Sequence, residues 1–442
     1  MAGIVGISKP GQQQKIERML GVIPYRGRQS KEIFEIEGIT LGIITSGRKS
    51  ESGQLSEPQK RVADEAGNGH LAEALVRKGA LELVRDELGV APLYYDIDQD
   101  ETVYFASEVK ALLAIKRNVT ELYAGHRLVD NLQQQYYQLQ RKEPLPDNAE
   151  NLAQELRTRL IQSIKGVITD NPIGSWLSGG LDSSTIAALA RPYCTEFHTF
   201  VAGLSGAKDL EYSREVASYI GSTHHEVILT LQDLIKALPE VIYHLESFDA
   251  LLVRSSITNY LVAKAASDYV AEVFSGEGGD ELFAGYEYLK SLSPEELDNE
   301  LITITGNLHN TALQRVDRCS AAHGTTAHVV FADPNVFEFA LKIPVIYKLY
   351  DGVEKWILRK AMTGLLPHRV LNRRKAKFWE GAGVNDVVSD YVEMKISDGD
   401  FTHERVLTNG WILKTKEELY YYRIFKEHFG EMHNLDWMGR SN

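Results

Sequence analysis

Up to about residue 140 the apolar positions fall in short runs separated by turn residues, at 3–7, 39–45, 81–84, 92–96 and 102–105. Runs of that length bounded by turn formers predict β-strands. From residue 151 the rhythm changes. Leu152, Leu156, Leu160, Ile161 and Ile164 recur at helical spacing and predict a helix over 151–168. Short apolar runs at 173–177, 197–204, 226–229 and 270–274 then alternate with helical stretches, a pattern expected of a parallel sheet wrapped by helices. Beyond about residue 290 the pattern is mostly helical. Between the two textures lies a polar, proline-broken stretch carrying Lys142, Pro144, Pro146 and Asp147, which reads as a linker. The expected organisation is therefore a β-rich region 1–140, a linker 141–150 and a larger α/β domain 151–442, with no internal repeat.

Composition narrows the function without naming it. A chain of 442 residues fits two or three domains, and a net charge of −13 argues against a partner held by its phosphate backbone, hence no nucleic acid. One phosphorylated small ligand in a local site stays compatible with that charge. Cys194 and Cys319 are too few for a disulfide framework and lack metal-ligand spacing. Lys9, Pro10 and a glutamine run interrupt the N-terminus, so no signal-peptide core is expected. With no apolar run of about 18 residues, neither a membrane span nor a membrane partner is expected, and the predicted location is cytoplasmic.

The most informative segment is Ser178-Gly179-Gly180-Leu181-Asp182-Ser183-Ser184, between a predicted strand and a helix-compatible stretch. Adjacent glycines let the backbone approach a ligand, serines offer hydroxyl and N–H donors, and a helix N-terminus behind them favours an anion. The lysine of the GxxxxGK[ST] loop is missing, so this is a different phosphate cradle. Asp182 and Asp280 each follow a predicted strand. In an open parallel sheet both would sit at the C-terminal edge, where ligands bind and two carboxylates can share a cation. Both would also fit helix caps.

The seven-residue string resembles the pyrophosphate loop of the ATP pyrophosphatases. Ser275-Gly276-Glu277-Gly278-Gly279-Asp280-Glu281 is similar to the SGEGxDE motif of glutamine-dependent asparagine synthetases. Val253 to Ser256, Glu354-Lys355 with Ile357 to Arg359, Leu366-Pro367 and Arg373 to Lys375 resemble further family segments in the same order. Residues 85–95 and 105–112 resemble the amidotransferase domain of that family. The resemblance implies an N-terminal, shortened Ntn-hydrolase-like (class II amidotransferase-like) α+β domain. It also implies a C-terminal adenine-nucleotide α-hydrolase-like domain.

It further implies ATP and Mg²⁺ as cofactors. Leu177 to Ser184, Ala202, Ser275 and Gly276 would lie around the nucleotide, and Asp182 and Asp280 on the metal. Lys375 would neutralise pyrophosphate, and Glu277 would take the proton of the attacking amine. Arg254 is a candidate clamp for a substrate carboxylate, with a structural ion pair as the alternative. The implied partners are ATP, a small carboxylate such as aspartate, and ammonia or an amine, with a homodimer among the compatible assemblies. Alternatives of the same chemistry are β-lactam-like or lasso-cyclase-like ring closure; the first places a tyrosine where Glu277 stands. An alternative of another class is a non-catalytic nucleotide-binding regulator.

Two departures from the family pattern stand out. Its glutaminase uses an N-terminal cysteine after the initiator Met, and Ala2 occupies that position. An engineered cysteine-to-alanine change would explain Ala2 alone. It would not explain the missing glutamine-holding loop, the short interval between Asn68 and Leu81, or Tyr25-Arg26-Gly27 keeping only part of the HRGPD turn. The expectation is a degenerate glutaminase kept as a scaffold. Downstream, the EARVPFLD segment reads Thr326 to Asp333, with His328 in place of its arginine, which puts aspartate as acceptor in question.

Overall fold

In the computed structural model, which describes residues 2–27, 29–46, 60–374 and 381–440, two antiparallel sheets precede one parallel sheet. Lys375 lies outside the described residues. The N-terminal strands are β1 Ala2–Ile7, β2 Ser30–Ile36, β3 Ile39–Thr45, β4 Lys60–Gly67, β5 His70–Arg77, β6 Ala80–Arg85, β7 Tyr94–Ile97, β8 Val103–Ala106, β9 Thr120–Glu121, β10 His126–Val129 and β11 Leu132–Gln135. They form a six-stranded sheet ordered β2-β3-β1-β8-β7-β9 and a five-stranded sheet ordered β11-β10-β6-β5-β4. Ile4, Ile7, Leu41 and Phe105 of the first sheet and Ala72, Ala74 and Leu83 of the second are sealed in one continuous core. Helix α1, Gln13–Gly21, closes the first sheet by burying Ile16, Met19 and Leu20 on one stripe.

The five expected N-terminal strands are present. β2, β4, β5, β9, β10 and β11 are additions, and the sequences of β2 and β4 show why. β2 reads Ser-Lys-Glu-Ile-Phe-Glu-Ile with mostly exposed positions, and β4 carries Lys60, Arg61, Asp64 and Glu65. Cross-strand pairing with β3 and β5 holds them where hydrophobic periodicity is weak.

The stretch before the second region is pinned rather than free. Leu145 donates its N–H to the Lys342 carbonyl, the Tyr137 hydroxyl donates to Glu338, and Lys142 pairs with Glu338. Asn148 caps the next helix by accepting from the backbone N–H groups of Glu150 and Asn151 at 3.0 Å each. That helix therefore begins at Ala149, two residues before the expected start.

Helix α2, Val109–Leu113, follows β8 in the N-terminal region; in the C-terminal region, helix α3 Ala149–Val167 leads into β12 Ile173–Trp176, α4 Leu181–Ala190, β13 Phe197–Leu204, α5 Lys208–Ile220 and β14 Thr223–Leu229. The chain continues through α6 Leu231–Leu245, α7 Ala250–Ala266, β15 Glu272–Ser275, α8 Gly279–Leu282, α9 Pro294–Gly306, α10 Ala312–Ala321 and β16 Thr326–Val329. The strands pair in parallel in the order β14-β13-β12-β15-β16, so the order reverses between β12 and β15. In such sheets the crevice at the reversal, beyond the strand C-termini, is where ligands bind. The α/β class and the parallel sheet agree with expectation. β16 is an addition, because Thr326-Ala327-His328-Val329 is too short and mixed to read as a strand unaided. Among the described residues, no helix is long and apolar enough to cross a membrane.

Candidate active site

A cavity of about 940 Å³ opens at the C-terminal ends of β12 and β15. Its first wall is the loop after β12. Gly179 takes a φ of +69°, and a Cβ there would stand 2.4–2.5 Å from Tyr212 and Ser213, so only glycine makes this turn. The Ser178 and Ser183 hydroxyls are 3.1 Å apart, and the Gly180 N–H donates to the Ser178 hydroxyl at 3.3 Å. Gly180 ends the loop as an N-cap without a side-chain partner, and α4 begins at Leu181. The N–H groups of that first turn therefore face the cavity mouth without a side-chain cap, the arrangement that receives an anion.

The second wall is the loop after β15. A Cβ on Gly276 would lie 2.7 Å from the Ser183 nitrogen, so this glycine lets the two loops touch. Leu177, Ser178, Gly180, Leu181, Asp182, Ser183, Ala202, Ser275, Gly276, Glu277 and Asp280 all line the cavity. Two residues of the expected nucleotide set do not: Gly179 shapes the turn, and Ser184 is fully buried behind it.

Asp182 and Asp280 meet at one point. The Lys355 ammonium, 2% exposed, pairs with both carboxylates, at 2.6 Å for Asp280. Two acidic groups 98 positions apart in sequence thus converge on a single cation-sized position. Among the described residues no group of three or more His, Cys, Asp or Glu side chains is arranged for a metal ion. Burial and the neighbouring Asp280 push the Glu281 carboxyl up to about 7.

Glu277 lies farther along the cavity and is held by Arg315 of α10 at 2.7 Å. Arg315 also donates to the Ser255 hydroxyl at 2.8 Å. Against its burial, Glu277 holds the guanidinium above its usual range. On the other side, Arg373 donates to the Ser178 carbonyl at 3.0 Å and pairs with Asp209 at 2.6 Å, bringing positive charge beside the anion loop.

Lys355 and Arg315 are among the charged cavity residues that sequence reasoning passed over. Lys355 stood inside a quoted motif but had no assigned partner. Arg315 lies in a helix whose ten residues are all buried, and it belonged to none of the quoted motifs.

Arg254 requires correction as a substrate clamp. It does not line the cavity but forms a two-bond ion pair with Glu417, whose other bond is to the Tyr421 hydroxyl. Helix α7 turns this face toward the helix Lys416–Phe429, where Glu417 is itself buried. His328 sits on β16, 5% exposed, bonded to Glu272 at 2.9 Å and away from the cavity wall.

At the N-terminal end, Ala2 is 6% exposed. Its N–H donates to Asp64 at 2.9 Å, and its carbonyl accepts from Arg26 at 3.0 Å. Arg26 is buried and pairs with Asp64, Glu108 and Asp317, each at 2.9 Å. Lys110 and Arg318 extend this cluster to Glu246. A methyl side chain offers no nucleophile at this position, and charges paired with one another surround it.

The asparagine synthase family matches residues 155–301 and 290–438, and the glutamine amidotransferase domain family matches residues 66–146. The chain is 34% identical over 378 residues to asparagine synthetase B [glutamine-hydrolyzing] of Escherichia coli (strain K12), covering 80% of this chain and 68% of that one. It is also 34% identical to an Arabidopsis thaliana asparagine synthetase [glutamine-hydrolyzing] 2, over 78% of this chain and 64% of that one. The asparagine synthetase [glutamine-hydrolyzing] of Cricetulus griseus is again 34% identical, with 80% and 71% coverage. Among solved structures, NMN synthetase from Francisella tularensis is 12% identical with a TM-score of 0.31, over 65% of this chain and 98% of that one. A likeness of that size carries no argument about function.

Proposed function

The chain belongs to the asparagine synthase family, and from that premise we propose that it is an ATP-dependent carbon–nitrogen ligase. It would adenylate a small carboxylate and transfer ammonia or an amine to it, without hydrolysing glutamine. The observation that carries this proposal is the single cavity joining the uncapped start of α4, the Asp182–Lys355–Asp280 group and the Arg315-held Glu277.

In the first step a carboxylate oxygen of the acceptor attacks the α-phosphorus of ATP. The bond to the bridging oxygen of the β-phosphate breaks, and pyrophosphate leaves. Negative charge grows on the leaving group, so donors fixed in advance around it lower the barrier. The Ser178–Ser183 loop, the α4 N-terminus, Arg373 and Lys355 would supply them. Lys375 is proposed to join them.

Asp182 and Asp280, both paired with Lys355, are oxygen donors of the kind Mg²⁺ takes, with phosphate oxygens to complete the shell. A bound Mg²⁺ would neutralise phosphate charge there. Asp182 and Asp280 would hold it.

In the second step the amine nitrogen attacks the acyl carbon, the bond to AMP breaks, and the nitrogen sheds a proton. Glu277 is the proton acceptor, and Arg315 fixes its carboxylate. Aspartate or an analogue is the proposed acceptor class, and His328, bonded to Glu272, leaves no carboxylate clamp on β16.

Ala2 and the closed cluster around it support the absence of glutaminase chemistry, as does a glutamine amidotransferase match that begins only at residue 66. A thiolating reaction lacks support, since burial pushes the Cys319 thiol up to about 12 and Cys194 up to about 11.

The test is incubation with Mg·ATP, a panel of small carboxylates, and either ammonium or glutamine, followed by measurement of pyrophosphate and AMP. Carboxylate-dependent pyrophosphate with amide formed from ammonium supports the proposal. No carboxylate-dependent pyrophosphate under any condition sinks it.

A further inference from the structure

Helix α10 has two charged faces that serve different halves of the molecule. Arg315 reaches the cavity and holds Glu277 at 2.7 Å. Asp317, two positions on, lies about 200° around the helix from it. Both Asp317 oxygens accept from the Arg26 guanidinium at 2.9 Å. Arg318 adds a second tie, donating to the Ser107 carbonyl at 3.2 Å and to Glu246 at 3.0 Å. The helix is buried along its whole length, so its rotation is set by these contacts rather than by solvent.

A two-bond guanidinium–carboxylate pair fixes orientation as well as distance. Leaving either buried partner unpaired is costly, so the pair has one low-energy geometry. A small rotation of α10 that loosens the Arg26–Asp317 fork would move the guanidinium of Arg315 relative to Glu277.

We propose that Arg26, in the half of the molecule that lacks a nucleophile, is a positioning residue for amide formation: through Asp317 it fixes the rotation of α10 and so the grip of Arg315 on Glu277. The inference rests on the proposed ligase activity and adds to it a role for the N-terminal half. That half is then a working part of the synthetase, because removing its charge loosens a group on the reacting amine. Adenylation draws on the Ser178–Ser183 loop and the start of α4, which lie outside the Arg26–Asp317–Arg315–Glu277 chain, and is spared.

The test compares Asp317→Asn and Arg26→Lys with the wild type in the same full-length protein. Asp317→Asn keeps shape and loses charge; Arg26→Lys keeps charge and loses the fork. Acyl-adenylate that the amine does not capture is hydrolysed by water to the carboxylate and AMP, so amide formed per pyrophosphate released should fall about tenfold in both. The KM for ATP and the rate of pyrophosphate release should stay within about twofold. Arg117→Lys serves as the stability control, since its pair with Asp96 lies in the N-terminal half and does not involve α10. It should leave the amide-to-pyrophosphate ratio unchanged.

A double-mutant cycle separates positioning from general destabilisation. Asp317→Asn added to Glu277→Gln should cost almost nothing further in the amide step, because the group being positioned is already gone. Additive losses in that cycle, equal losses in adenylation and amide formation, or an unchanged ratio in both variants would each overturn the inference. A wild-type protein releasing no carboxylate-dependent pyrophosphate overturns the ligase proposal itself, and the inference with it.

Discussion

The molecule buries charge in two places, and the two are built differently. Around Ala2, the Arg26, Lys110 and Arg318 side chains are matched to Asp64, Glu108, Glu246 and Asp317, all less than one-tenth exposed. These charges answer each other, and the cluster joins both halves of the chain. At the ends of β12 and β15, Asp182, Asp280, Lys355, Glu277 and Arg315 instead line an open volume of about 940 Å³. The first cluster is sealed on every side, whereas the Lys355 and Arg315 pairs border an open volume that a ligand could enter. The same residue types therefore do different work according to what they face.

The largest effect expected from breaking this contrast is on the cavity side. Asp182→Asn should lower carboxylate-dependent pyrophosphate release by about 10²–10³-fold, while the melting temperature changes little. An equal loss of stability would mean that Asp182 belongs with the structural charges.

The complementary change is Arg26→Met, which leaves several buried carboxylates without their shared cation. It should lower unfolding free energy by about 3–5 kcal/mol in denaturant titration. A loss below about 1 kcal/mol would show the cluster to be inessential to the fold.

Substrate titration gives a smaller effect. If the nitrogen donor is free ammonia rather than glutamine, the KM for total ammonium should fall roughly tenfold per pH unit between about pH 6 and 8, because the neutral fraction rises by that factor. A flat KM would point to ammonium itself, or to an amine of lower basicity, as the species bound.

The smallest effect separates members of the cluster from one another. Burial pushes the Asp317 carboxyl up to about 6, against the pull of Arg26 and Arg318. The folded protein then takes up this proton at a higher pH than the unfolded chain, so the group's contribution to stability declines as pH rises from about 4 to about 6. Glu108 behaves oppositely: Lys110, Arg318 and Arg26 outweigh its burial and hold it far below the usual range, giving stability that is lost on acidification. Asp317→Asn removes the first contribution and keeps the second. Its unfolding free energy should therefore fall less than the wild type's across pH 4 to 6, and identical slopes would rule out this role for Asp317.

What the sequence revealed follows the same division. The anion loop, the two aspartates and Glu277 were legible because their chemistry is written in contiguous strings at strand ends. The parallel sheet was legible because β12 to β15 each carry a short apolar run and are separated by helical spacing. Lys355 was visible only as a motif member, since its value lies in meeting Asp182 and Asp280 from 173 and 75 positions away in the chain. Arg26 was visible only as part of a shortened turn motif, and Asp317 and Arg318 gave no local signal, because a network spanning 291 positions between Arg26 and Asp317 exists only after folding. Arg254 misled for the same reason: its partner Glu417 is 163 positions away. The hairpin of β4 and β5 escaped notice because pairing, not hydrophobic alternation, holds it.

The central claim is that the cavity side forms amides while the Ala2 side hydrolyses nothing. It is tested most directly by supplying Mg·ATP and a carboxylate panel with either ammonium or glutamine, to the wild type and to Ala2→Cys. Pyrophosphate, amide and glutamate are then measured together. The account predicts pyrophosphate and amide in equal amounts with ammonium, and no glutamate from glutamine in either protein. Glutamate released by the wild type, or pyrophosphate absent with every carboxylate, would contradict it.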